Sequence, residues 1–122
     1  MTKKSSGITI YHNNRCSKSR QALQLLEAAG VKPRVINYLE TPPTASELDA
    51  LLKALNLSPQ EIARKGEDRY EELGLGAKPP QDRAAWIKVL VANPILIERP
   101  LITNGKRAVV GRPPENVKAL LD

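Results

Sequence analysis

Two short β-rich runs, Ile8-Thr9-Ile10-Tyr11 and Val35-Ile36-Asn37-Tyr38-Leu39, are separated by one helix-length amphipathic segment. That spacing constrains the fold more than any other feature of the chain. A strand, a helix and a second strand joined by a right-handed crossover place the two strands parallel in one sheet. The helix begins at Ser17, presents Leu23, Leu26 and Ala29 on one face, and meets its stop signal at Gly30. Thr41-Pro42-Pro43 then breaks the chain.

A helical stretch follows. Thr44-Ala45-Ser46-Glu47 has the form of a capping box ahead of Leu48, Leu51, Leu52 and Leu55 at helical spacing. Ser58-Pro59-Gln60-Glu61 repeats the form, with proline at the first helical position. Glu67 to Leu73 reads as a short helix, and a longer one runs from about Gln81 to Ala92 with Ile87, Leu90 and Val91 as its buried stripe. Beyond Asn93-Pro94 the pattern returns to strands. Leu101-Ile102-Thr103 and Arg107-Ala108-Val109-Val110 flank Asn104-Gly105-Lys106, a hairpin signal because Asn-Gly tolerates positive φ. Pro113-Pro114-Glu115 opens a terminal helix carrying Val117, Leu120 and Leu121. The order is βαβ, a helical block, then ββα. An α/β chain with a mixed sheet is expected, in a thioredoxin-like layout with an all-helical insertion at about 44–92 inside one domain spanning 1–122.

Composition narrows the function. With 122 residues and 41% hydrophobic content the chain can bury a core, which must be aliphatic because Phe is absent and aromatics are 3%. No apolar run approaches the ~20 residues of a membrane span. The opening Met1-Thr2-Lys3-Lys4-Ser5-Ser6-Gly7 has no apolar stretch of the secretory kind. The net charge of +6 raises nucleic acid as a partner. Scattered aromatics and the lack of a Lys/Arg block argue for small anions instead. The lone cysteine and lone histidine exclude an internal disulfide and a metal site of ordinary ligand count. A single thiol suits a reducing cytoplasm, and any redox cycle through it must borrow a second thiol from another molecule.

That cysteine, Cys16, lies between the first strand and the first helix. Seven polar or charged neighbours fill the positions from Asn13 to Arg20 around it. A thiol at a helix N-terminus faces unpaired N–H groups and the positive end of the helix dipole, which favour thiolate. The same loop can dock an oxyanion. His12 is open to several roles: a cation beside the thiolate, a proton carrier, or a loop residue held by hydrogen bonds. Arg64, Arg99 and Arg112 stand near element ends that converge, in such a layout, on the edge where the first helix begins. Guanidinium groups bind tetrahedral oxyanions through paired N–H donors and keep their charge.

The loop His12-Asn13-Asn14-Arg15-Cys16-Ser17-Lys18-Ser19-Arg20 resembles the His-Asn-Pro-x-Cys-x-x-Ser-Arg signature of the ArsC family of glutaredoxin-coupled arsenate reductases. The resemblance continues through Tyr38-Leu39-Glu40-Thr41-Pro42-Pro43, Tyr70-Glu71-Glu72-Leu73, Asn93-Pro94-Ile95-Leu96-Ile97-Glu98-Arg99-Pro100 and Gly111-Arg112-Pro113-Pro114-Glu115. It spans roughly residues 8 to 121. It implies a thioredoxin-like fold and a reaction in which the Cys16 thiolate attacks arsenate. Glutathione, a co-substrate rather than a bound cofactor, then displaces a further oxygen, and glutaredoxin supplies the reducing equivalent that releases arsenite. By position it makes Cys16 the nucleophile and has His12 and Ser19 tune the thiolate. It makes Arg64, Arg99 and Arg112 the oxyanion ligands, with Asn13 in the same loop, and makes Pro100 a cis proline.

Two departures mark the chain. Asn14 stands where the signature has proline, and Ser17-Lys18 where the characterised reductases have Gly-Thr, a form similar to a Cys-Ser-Lys-Ser branch of the family. Two other readings stand beside the reductase. One is a monothiol, glutathione-linked redox protein without arsenate turnover. The other is a regulator of the Spx type that binds RNA polymerase, against which Ser19 replaces the second cysteine of the usual Cys-x-x-Cys.

Overall fold

The computed structural model describes residues 7–121, so the reading of residues 1–6 as free of an export signal lies outside the described residues. The chain divides into two compact units. One takes the chain up to Thr41 and from Arg99 onward, and the other is Pro42–Glu98.

The first unit is built on a four-stranded mixed sheet. Its strands are β1 (Thr9–His12), β2 (Arg34–Asn37), β3 (Leu101–Thr103) and β4 (Ala108–Val110), in the order β2-β1-β3-β4. β1 runs parallel to β2, as the strand–helix–strand reading predicts, with Ile10 opposite Val35. It is antiparallel to β3, with Ile10 opposite Ile102, and β3 is antiparallel to β4. Helix α1 (Ser17–Ala28) connects the parallel pair. Period-2 alternation sends Ile8 and Ile10 into one core with Ala22, Leu26, Val31, Ile102, Val117 and Leu120. Aliphatic side chains of this size stabilise by about 1.5–3 kcal/mol each when fully buried, so a core without phenylalanine suffices.

Several details differ from the sequence reading. β1 starts and ends one residue later and includes His12. The buried face of α1 is Ser19, Ala22 and Leu26 rather than Leu23, Leu26 and Ala29. Leu23 packs at the margin of the core, while Ala29 is the exposed C-cap, beyond the last turn. Gly30 follows with φ +82°, the left-handed stop expected of it. β2 is an edge strand, which leaves Val35 47% exposed. At the hairpin Gly105 has φ +94°, and Asn104 Oδ1 accepts from the N–H groups of Lys106 and Arg107. The terminal helix is 3-10 in form over Pro114–Leu120 and buries Val117 and Leu120.

The second unit is mainly helical. α2 (Ala45–Leu55) carries the predicted capping box, with Thr44 Oγ1 accepting from Glu47 N–H at 3.1 Å and Glu47 Oε1 from Thr44 N–H at 2.9 Å. It buries Leu48, Leu51 and Leu52. The Ser58 box heads only a 3-10 turn, Pro59–Ile62, because Ala63 turns extended and bridges Ile97. That bridge, flanked by Arg64 N–H to Leu96 O at 2.7 Å and Glu98 N–H to Ile62 O at 2.8 Å, is the non-helical join of the unit. α3 (Asp68–Glu72) stops ahead of Gly74 at φ +68°. α4 (Arg83–Ala92) is capped by Asp82 and buries Trp86, Ile87 and Leu90, with Trp86 taking the place expected of Val91. Among the described residues no helix is long and apolar enough to cross a membrane.

Candidate active site

β1 ends at His12, and the loop Asn13-Asn14-Arg15 carries the chain to Cys16, the N-cap of α1. The loop is closed by its own polar groups. Asn13 O accepts from Cys16 N–H at 3.0 Å, and Asn13 Oδ1 accepts from Arg15 N–H at 2.9 Å. This Asx turn occupies the buried Asn13 carbonyl inside the loop. Arg20 Nη1 donates to Asn14 O at 2.9 Å, tying down the position where the family signature has proline.

Ser19 sits one turn into α1, fully buried. Its Oγ accepts from Asn13 N–H at 3.0 Å and lies 2.7 Å from His12 Nδ1. One hydroxyl thus joins the end of β1, the loop and the helix. Burial, and then the charge of Arg20, hold the His12 pKa below its ordinary value. Both effects favour the neutral ring over the cation.

Cys16 is a free, partly exposed thiol. Burial alone pushes its pKa up. The N–H groups of Ser19 and Lys18, a hydrogen bond from Arg99 and the charge of Arg112 pull it the other way, and the net direction is down. The sulfur thus occupies the electropositive setting that activates a cysteine. Arg112 Nη2 lies 3.3 Å from Sγ, while Arg112 Nε donates to Arg99 O at 2.8 Å. Both arginines precede cis prolines: Arg99-Pro100, as the family resemblance implies, and Arg112-Pro113, which the sequence reading did not anticipate.

Arg64 belongs to the other unit. There its Nη1 reaches Glu98 Oε1 at 2.6 Å and its Nε reaches Glu67 Oε2 at 3.2 Å. The sequence reading missed both carboxylates as partners. Glu67 is three residues from Arg64, a spacing that a helical surface would have signalled, but Glu98 is 34 residues away and no local pattern marks it. Within the first unit, then, the structure brings together Cys16, His12, Asn13, Ser19, Arg99 and Arg112. Among the described residues no group of three or more His, Cys, Asp or Glu side chains is placed to hold a metal ion.

The chain is similar to known proteins along most of its length. The uncharacterized protein YfgD of Escherichia coli is 49% identical over 90% of this chain and 92% of its own length. The arsenate reductase of Neisseria meningitidis serogroup B is 45% identical over 93% of this chain and 97% of its own. The solved arsenate reductase of Vibrio cholerae superposes with a TM-score of 0.87 at 42% identity, covering 95% of this chain and 98% of the other. The mixed sheet with its helices is accordingly the thioredoxin-like α/β fold of these structures. The model of the ArsC family matches residues 11–120, which include the cysteine loop and the Arg99 and Arg112 segments, and the chain belongs to the ArsC family.

Proposed function

We propose that this protein reduces arsenate to arsenite, with Cys16 as the nucleophile and with glutathione and glutaredoxin as the reductant. The observation that carries the proposal is the pair of guanidinium groups on Cys16: Arg112 at 3.3 Å from the sulfur, and Arg99 bonded to it. Those cations serve two purposes. They stabilise the thiolate before reaction and offer paired donors to the oxygens of a tetrahedral anion brought to it.

In the proposed sequence the thiolate forms a sulfur–arsenic bond and one arsenate oxygen leaves as water after protonation. Glutathione adds its sulfur to arsenic and a second oxygen leaves as water. A glutaredoxin thiol then attacks the glutathione sulfur. The sulfur–arsenic bond to glutathione breaks, its electron pair stays on arsenic, and As(V) becomes As(III). The two thiols leave as one mixed disulfide, which balances the two electrons, and water releases arsenite from Cys16. A lone cysteine that borrows both reducing thiols fits a reducing compartment such as the cytoplasm. Arg99 and Arg112 hold the oxyanion, Ser19 and His12 hold the loop, and Arg64 is assigned to the oxyanion by family resemblance.

The test is arsenate-dependent NADPH oxidation with the purified protein, glutathione, glutaredoxin and glutathione reductase, run beside Cys16→Ser. Turnover that requires arsenate, glutathione and Cys16 is the expected result. A folded protein with a reactive Cys16 and no arsenate-dependent turnover would overturn it and favour glutathione exchange alone.

A further inference from the structure

The β3–β4 hairpin does not stop at its last sheet pair, Leu101 opposite Val110. One residue further, Gly111 N–H donates to Pro100 O at 2.9 Å. Proline has no N–H to return, so the next rung is made differently. Arg112 sends its own side chain across, Nε to Arg99 O at 2.8 Å, and the far end of the same guanidinium reaches Cys16 Sγ at 3.3 Å. The backbone at Gly111 lies against the buried ring of Pro100. A Cβ at position 111 would stand 2.7 Å from Pro100 Cγ, 3.0 Å from Ile102 Cδ1 and 3.3 Å from Pro100 Cδ. The glycine is not there for a left-handed backbone; Gly111 is absent from the positive-φ residues. It is there for space. A closed ring cannot swing aside as the end of a long side chain can, and Ile102 is fully buried in the core.

We propose that Gly111 is a positioning residue for the reacting sulfur: its bare backbone lets the Arg112 strand close on Pro100 so that one guanidinium spans from the Arg99 carbonyl to Cys16. This deepens the proposed reaction and rests on it only in taking Cys16 as the group that reacts. Any side chain at 111 separates the two segments at this rung and carries Arg112 away from the sulfur. Lys18 and Ser19 on α1 would still turn their N–H groups toward Cys16, and the charged side chains acting on it are Arg99 and Arg112. His12 engages Ser19, and Arg20 engages Asn14.

The experiment is the pH dependence of Cys16 alkylation by iodoacetamide, followed by mass spectrometry, in the wild type and in Gly111→Ala. Circular dichroism checks the fold in parallel. The expected result is a folded variant whose alkylation midpoint moves up, with slower alkylation at pH values below that midpoint; well below it, each pH unit of upward shift lowers the thiolate fraction about tenfold. A folded Gly111→Ala with an unchanged midpoint overturns the proposal, since a purely structural glycine would alter stability alone. If Gly111→Ala does not fold, Arg112→Lys puts the question to the same contact, keeping the charge and the glycine but losing the Nε donor. An unchanged midpoint in Arg112→Lys also overturns the proposal, and an upward shift supports the Arg112–Cys16 link on which it depends. No arsenate enters the assay, so its outcome is separate from that of the turnover test.

Discussion

Arg112 donates to the Cys16 sulfur from a distance of 3.3 Å, although 96 residues separate the two in the chain. This contact makes the cysteine more than a thiol at the end of a helix. Helix amides lower its pKa on their own, but Arg99 and Arg112 add full charges, and those charges remain to meet an anion. Arg112→Ala and Arg99→Ala are each expected to raise the alkylation midpoint of Cys16 and weaken oxyanion binding. A charged hydrogen bond is worth about 1.5–3 kcal/mol. Solvent screening at this half-exposed site keeps the effect near the lower end, about tenfold in arsenate KM. Steady-state kinetics with varied arsenate measures it, and an unchanged KM in both variants removes them from the oxyanion site.

Ser19 links three elements through one buried hydroxyl, so its loss should act first on stability. Ser19→Ala leaves Asn13 N–H and His12 Nδ1 without the oxygen they share. A buried group left unsatisfied costs about 1–3 kcal/mol. The backbone N–H of Ser19 survives the substitution and still faces the sulfur. Urea denaturation should therefore show a clear loss of stability, while the Cys16 midpoint moves less than in Arg112→Ala. The reverse pattern would place the hydroxyl itself in thiolate stabilisation.

His12 predicts how stability responds to acid. Burial and then Arg20 depress its pKa in the folded protein, so the unfolded chain binds the proton more readily. The stability it contributes is complete above the unfolded imidazole value of about 6.5 and is lost as pH falls through the lower folded value. Thermal unfolding midpoints between pH 7.5 and pH 5 should fall, and should fall less in His12→Gln. Equal slopes in the two proteins would show that His12 does not carry the acid sensitivity.

Arg64 is held at 2.6 Å by Glu98 and at 3.2 Å by Glu67 within the unit Pro42–Glu98. Arg64→Ala removes the cation that both carboxylates share. It should destabilise the protein by about 1–2 kcal/mol, because a partly buried charge network loses its centre while solvent still screens it. Glu98→Gln separates this structural part from catalysis, since it weakens the clamp and leaves the guanidinium in place. An arsenate KM that rises in Arg64→Ala but not in Glu98→Gln assigns Arg64 to the oxyanion. Equal effects in the two variants confine it to its own unit.

Much of this molecule was legible in local sequence. The parallel pair β1 and β2, the Thr44 capping box, the Asn104-Gly105 turn and the position of Cys16 at the start of α1 all follow from patterns a few residues long. Such features depend on backbone periodicity, on side chains that satisfy nearby N–H groups, and on residues that tolerate unusual φ. Where local pattern met packing, packing prevailed. The buried face of α1 turned to Ser19, Ala22 and Leu26, and the Ser58 box opened only one 3-10 turn before Ala63 paired with Ile97.

By itself, then, the sequence determined the order of the elements and the cysteine loop, because these are written in short-range spacing, and its motifs carry the resemblance to the ArsC family. Tertiary structure alone decided that Ser19 binds His12 and Asn13 and that Glu98 clamps Arg64. It also decided that Gly111 meets Pro100 closely enough for Arg112 to reach Cys16. Each of these contacts depends on where a side chain's last atoms come to rest. Chain spacing does not encode that position; it exists only once strands and helices are packed to within a few tenths of an ångström.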